Sequence, residues 1–185
     1  MANKIKYGIQ NCYYAVITQG QGGAVTYGTP VALPGAVNLT LSAEGESTPF
    51  YADNIVYFQT EANAGYSGTL ELALIPDDFR KDVLGEVEGQ NGILYENADV
   101  VAKEFALLFQ FEGDEHAVRH AMYRCSAGRP DVNGATKEAS IEPQTETLNI
   151  TCMPRLDDHI VKGSCPATET TTYNGWFTQV TLPTA

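Results

Sequence analysis

A chain of 185 residues, 43% apolar and 18% charged, holds enough apolar side chain for one packed domain and too much for a disordered chain. Its net charge is −12, with all 23 acids at or after Glu44 and only Lys4 and Lys6 charged in residues 1–43, a balance that disfavours gripping nucleic acid by its phosphates. No apolar run reaches the length of a membrane span, and none follows the basic start Met1–Lys6, so neither a membrane partner nor a secretory signal is expected.

Period-two alternation dominates, the pattern of strands with one buried and one polar face. Tyr13–Thr18 reads as the first strand. Val37, Leu39 and Leu41 then alternate with Asn38, Thr40 and Ser42, and Ile55–Gln59 is a further extended run. Leu70, Leu72 and Leu74 alternate with Thr69, Glu71 and Ala73. One helix is predicted next, over 75–85: Asp77 is placed to cap it, Phe79 and Val83 share a face, and Gly85 suits a left-handed end. At about two turns it persists only when docked on a sheet. Phe105, Leu107, Phe109 and Phe111 share one face of another strand, and Val118–Ser126 follows. Leu148, Ile150 and Cys152 alternate with Thr147, Asn149 and Thr151. Thr168–Thr172 reads as a polar linker before a last strand, Gly175–Val180. Turns at Gly20–Gly23, Gly65, Gly89–Gly92, Asn133-Gly134 and Asn174-Gly175 separate these runs. The expected fold is mainly β: an antiparallel β-sandwich or partial barrel with one short flanking α-helix, in a single domain over 1–185.

No catalytic constellation stands out. His116 and His120 follow Glu112, Asp114 and Glu115 at a spacing that suits a metal, but without the helical H-E-x-x-H order; a charged turn entering a strand is the favoured reading. Asp157-Asp158-His159, between Pro154 and Gly163, reads as a solvated turn, and the acid-rich stretch 77–115 as solvated faces. Cys12, Cys125, Cys152 and Cys165 form no C-x-x-C pair and read as buried free thiols rather than zinc ligands. No enzyme activity, metal or cofactor is expected. The aromatic pairs Tyr13-Tyr14, Phe50-Tyr51 and Tyr57-Phe58 must point to opposite faces of their strands. One ring of each is therefore expected in the core and the other at a subunit contact.

Longer segments carry a resemblance. Lys4–Ile9 followed by Tyr14–Thr18, then Thr29–Val37, Phe50–Asn54, Gly65–Gly68, Ala73–Arg80, Ile141–Leu148 and Tyr173–Phe177 occur in this order across nearly the whole chain. Together they resemble the major tail tube proteins of siphophages of Gram-positive hosts, with the weakest likeness over 153–172.

The resemblance implies hexameric rings that stack into a tail tube, with subunit sheets joined edge to edge into one large barrel. The lumen of that barrel guides the tape-measure protein during assembly and genomic DNA during ejection, without specific DNA binding. It also implies a tail terminator and a distal tail protein as partners, and a place in the virion after assembly in the host bacterial cytoplasm. Open strand edges closed by copies of the same chain fit such a ring. Within that frame the polar positions Asn38, Thr40, Ser42, Thr69, Glu71, Thr147, Asn149 and Thr151 are the lumen-facing candidates. A hairpin over about 43–66 is the ring-stacking element, with Phe50, Tyr51, Asp53 and Tyr57 as contacts. An extended N-terminal arm, about 1–11, offers Lys4 and Lys6 to an acidic neighbour. The alternative is a baseplate or receptor-binding component of the tail. A metal-dependent hydrolase using His116 and His120, and a bacterial tube relative from a contractile secretion system, are the remaining readings.

Overall fold

The computed structural model describes residues 3–20, 25–136 and 143–183. The expected turn at Gly22-Gly23 and the resembling pair Ile141-Glu142 lie outside them. The described strands are β1 (Lys6–Gln19), β2 (Val25–Tyr27), β3 (Val31–Ala32), β4 (Ala36–Glu44), β5 (Ser47–Ala52), β6 (Ile55–Glu61), β7 (Gly65–Leu72), β8 (Val87–Glu88), β9 (Leu94–Tyr95), β10 (Phe105–Gly113), β11 (Val118–Ala127), β12 (Glu146–Cys152) and β13 (Lys162–Cys165). The main sheet runs β2-β1-β10-β11-β12-β7-β4, with β3 beside β1 and β13 beside β11; every pairing is antiparallel. β4 and β1 lie far apart along this path yet touch, so the sheet curls into a partial barrel, as expected. Among the described residues β5 pairs only with β6, and β8 only with β9.

Alternation decides what fills the interior. Tyr14, Leu70, Leu72, Phe105, Leu107, Leu148 and Ile150 project inward and are almost wholly buried. The expected helix is present as α1 (Asp77–Phe79), continuing as a π-helical turn over Arg80–Leu84. Phe79 and Val83 are fully buried, and Gly85 closes the turn at φ 79°, a left-handed conformation favouring glycine. Phe79 meets Tyr14 and Phe105 edge to face, with ring centroids 5.0 and 5.4 Å apart. Polar clamps hold the short helix on the sheet. Tyr14 Oη donates to Asp82 at 3.0 Å, Arg80 pairs with Glu146 at 3.1 Å, and the Ile75 N–H donates to Glu146 at 2.6 Å. Burial, then Asp82, pushes the Tyr14 phenol well above its usual range.

Five expectations are corrected. Asp77 does not cap the helix: Pro76 holds the N-cap position and no side chain bonds there, so Asp77 acts only as an acid in the first turn. Leu74 is not on the buried face, because β7 ends at Leu72 and Leu74 is 71% exposed. The stretch 175–180 is not a strand. The reading of Thr168–Thr172 as a linker also fails, because a second helix, α2 (Thr170–Gly175), begins within it and a turn follows. Burial explains both: Tyr173, Trp176, Phe177, Val180 and Leu182 pack on Leu108, Ala121, Tyr123 and Tyr13, covering the outer face of β1-β10-β11. Trp176 Nε1 donates to the His120 carbonyl at 3.3 Å, and the Arg119 guanidinium stacks on Tyr173 at 3.7 Å. The fifth correction concerns the aromatic pairs. Tyr14 is core, but Tyr13 stacks on Phe177 of its own chain at 4.8 Å, while Phe50, Tyr51, Tyr57 and Phe58 are all exposed.

All four cysteines are free and buried. Cys125 and Cys152 are cross-strand partners with sulfurs 3.3 Å apart. Burial pushes the Cys12 thiol up to about 12 and raises Cys125 well above its usual value. Thiolate, the reactive form, is therefore scarce. Titration with a chromogenic disulfide reagent at pH 8 should find almost no rapidly reacting thiol in the native protein and four in denaturant. Two or more fast native thiols would contradict this packing.

Candidate functional site

The outer face of β1-β10-β11 is covered by the C-terminal segment; the outer face of β12-β7-β4 is bare. Register places the polar alternating positions of these three strands side by side. Glu71 faces Asn38 and Thr147, Thr69 faces Thr40 and Asn149, and Ser67 faces Ser42 and Thr151. All eight lumen-facing candidates therefore lie on one surface, in three rungs opposite the buried Leu70, Leu72, Leu148 and Ile150. Ser67 completes the third rung. It was legible in the alternation, two residues before Thr69, but was not singled out. The rungs carry hydroxyls and amides, one carboxylate (Glu71), and no lysine or arginine. Thr145 Oγ1 donates to Glu71 at 2.6 Å, and Ser67 Oγ donates to Glu44 at the far end. β4 is the end strand of the sheet path, and among the described residues its outer edge, although it approaches β1, carries no ladder.

Beyond Glu44 the β4–β7 ladder continues as the β5–β6 hairpin, through Ala64 N–H to the Glu44 carbonyl and Ala62 N–H to the Glu46 carbonyl. The hairpin turns at Asp53-Asn54, with φ 50° and 60°, a two-residue loop whose left-handed residues match the strand twist. Phe50 is paired with Phe58, and the shift in register after Phe50 leaves Tyr57 unopposed. None of its large apolar side chains reaches the core: Phe50, Tyr51, Ile55, Val56, Tyr57 and Phe58 are between 49% and 71% exposed. A contiguous apolar projection of this kind is uncommon on a monomer and marks a contact surface.

The remaining candidates lie elsewhere. The Lys4 N–H donates to Asp114 at 2.8 Å, a bond that holds the Asp114 carboxyl below its ordinary range. Residues 6–11 belong to β1, and the Lys6 ammonium sits 4.7 Å over Phe111. His116 is exposed in the turn before β11, its N–H donating to Asn3 at 2.9 Å. His120 stacks on Phe109 instead; burial, then Lys6 and Lys162, lowers its pKa. Asp157 and Asp158 both face the buried Arg155, at 2.5 and 3.3 Å. Among the described residues no three His, Cys, Asp or Glu side chains converge on a metal position, and no helix is long and apolar enough to cross a membrane.

Comparison with known proteins gives three findings. No curated protein matches the chain. Among solved structures, the cryo-EM structure of the anti-feeding prophage cap (AFP tube terminating cap) is similar at a TM-score of 0.40 and 11% identity, over 90% of this chain and 97% of that one. Residues 2–115 match the family described as phage tail tube protein, a span running from the N-terminus through β10 and including the whole projecting hairpin. A match over that much of its length places the chain in the phage tail tube protein family, as a structural component of the virion tail.

Proposed function

We propose that this tail tube subunit forms hexameric rings stacked into the tube of a siphophage of a Gram-positive host, and that the β12-β7-β4 polar face lines the lumen through which genomic DNA is ejected. One observation carries the reading: all eight polar positions fall on a single uncovered surface beside an end strand. Edge pairing at β4 joins neighbouring subunits within a ring, and cyclic symmetry closes the interface. The β5–β6 hairpin joins one ring to the next, and Lys4, just before β1, and Lys6, at its start, contribute intersubunit contacts. The tape-measure protein occupies the lumen during assembly in the host cytoplasm, and the terminator and distal tail protein cap the two ends.

The chemistry of the face suits transit rather than binding. Phosphates are held by cations and released by counterion exchange; a wall of hydroxyls and amides with one carboxylate per subunit offers no cationic hold. Lysine at Thr40, Glu71 and Asn149 together should leave tubes of normal appearance but slow DNA ejection by about tenfold or more, since each new cation adds a phosphate contact. Electron microscopy checks the tubes, and a dye-accessibility assay of released DNA checks ejection. Unchanged ejection from normally assembled tails would remove the face from the lumen. Microscopy of the concentrated parent chain tests the assembly itself: closed rings or trimers that never extend would favour the baseplate or receptor-binding alternative.

A further inference from the structure

We infer that the half-open cavity between β4 and β10 receives the end of the β5–β6 hairpin from a second copy of this chain. The inference rests on the reading of that hairpin as an intersubunit contact and names the surface it meets. The cavity measures about 230 Å³ and is walled by Leu39, Leu41, Phe109 and Phe111, with Lys6 and Lys162 among its lining residues. Leu39 and Leu41 are only half-buried, so the barrel's own core leaves this wall unfinished. The volume is below the roughly 300–1,000 Å³ of small-molecule sites and fits an inserted side chain.

Charge selects the occupant. In a chain of net charge −12, this cavity is bordered by two ammonium groups. Lys6 lies 4.7 Å over Phe111; Lys162 donates to Tyr66 Oη at 2.6 Å and lies 4.7 Å over that ring. Among the described residues neither lysine has a carboxylate partner, like Lys4, Lys103 and Arg119, whereas Arg80, Lys81, Arg124, Arg129 and Arg155 do. An ammonium has three donors, so Lys162 keeps capacity beyond Tyr66. The occupant should therefore combine an apolar or aromatic side chain with one acid. The hairpin end has that composition: exposed Phe50, Tyr51, Ile55 and Tyr57 flank Asp53, the single acid between Ser47 and Gln59. Its apolar rings match the leucine and phenylalanine walls, and its carboxylate matches the lysines.

The test is a charge swap read as the critical concentration for tube growth. Asp53→Lys and Lys162→Asp should each raise it by about tenfold or more, as like charges meet at a partly desolvated contact. The double variant should recover most of the loss, because every copy then carries both reversed halves. A second measurement covers a variant that folds poorly: mixing Tyr51→Cys with Leu41→Cys should give a disulfide-linked dimer under mild oxidation, absent from either variant alone. Impairment by Asp53→Lys without impairment by Lys162→Asp, failure of the double variant to recover, or absence of the mixed dimer would overturn the cavity assignment. If those results come with tube growth that still depends on Phe50 and Tyr51, the ring-stacking reading survives; if growth is indifferent to the hairpin, both fall.

Discussion

Serine at both Phe50 and Tyr51 should yield a folded monomer that forms no tubes at concentrations where the parent chain polymerises. The two rings are 60% and 64% exposed and belong to a hairpin whose strands pair only with each other. Removing them takes nothing from the core around Phe79, so the thermal midpoint should shift by no more than a few degrees. Assembly is different. Covering an exposed large apolar side chain is worth roughly 1.5–3 kcal/mol, so losing two per subunit removes about 3 kcal/mol or more from each contact. At about 1.4 kcal/mol per decade, the critical concentration rises more than 100-fold. Sedimentation across a concentration series, with circular dichroism as the control for folding, reads both quantities. Tubes at the parental concentration would show that the hairpin does not bear the contact.

The second large effect concerns stability. Phe79→Ala should destabilise the monomer by about 3–5 kcal/mol, the usual range for a buried phenylalanine. This side chain is fully buried between Tyr14 and Phe105 and is the main apolar anchor of a helix too short to persist alone. Its loss loosens the neighbouring clamps, Tyr14 on Asp82 and Arg80 on Glu146. For a chain of this size the midpoint should fall by roughly 10 °C. Leu74→Ala is the matched control, because Leu74 lies beyond the end of β7 and is 71% exposed; its cost should stay within about 0.5 kcal/mol. Urea unfolding of the two variants separates them. Equal effects would contradict the end of the buried face at Leu72.

The contrast between Phe79 and Leu74 marks how far local pattern reaches. The two-residue alternation of β4, β7 and β12 is written into neighbouring side chains, because successive residues of a strand point to opposite faces. Inside and outside were therefore legible before any pairing was known, except at Val37, which is 52% exposed because the β4–β7 register slips between Ala36 and Asn38; a helix ending at Gly85 was legible too. Membership in a tail tube family was likewise legible, from ordered segments across the chain, and residues 2–115 bear it out. The end of a buried face was not legible, since Leu70, Leu72 and Leu74 look alike until the chain leaves the sheet after Leu72.

Tertiary structure also decided which faces are covered and by what. Trp176, Phe177 and Val180 have the composition of a strand, yet they close the outer face of β1-β10-β11 from a helix and a turn, against Tyr13 and Leu108 far away in sequence. Phe50-Tyr51 and Tyr57-Phe58 put one ring on each face of their strand, as a strand with one buried face would, yet both faces of their hairpin are exposed because it extends beyond the sheet. The opening bordered by Lys6, Lys162, Leu39 and Phe111 brings together four separate strands. The sequence by itself determined the apolar and polar faces of the sheet strands and the family. How far a buried face runs, which outer face stays open, and which distant side chains share a cavity were decided only when the sheet curled, because burial depends on contacts between residues that local periodicity cannot relate.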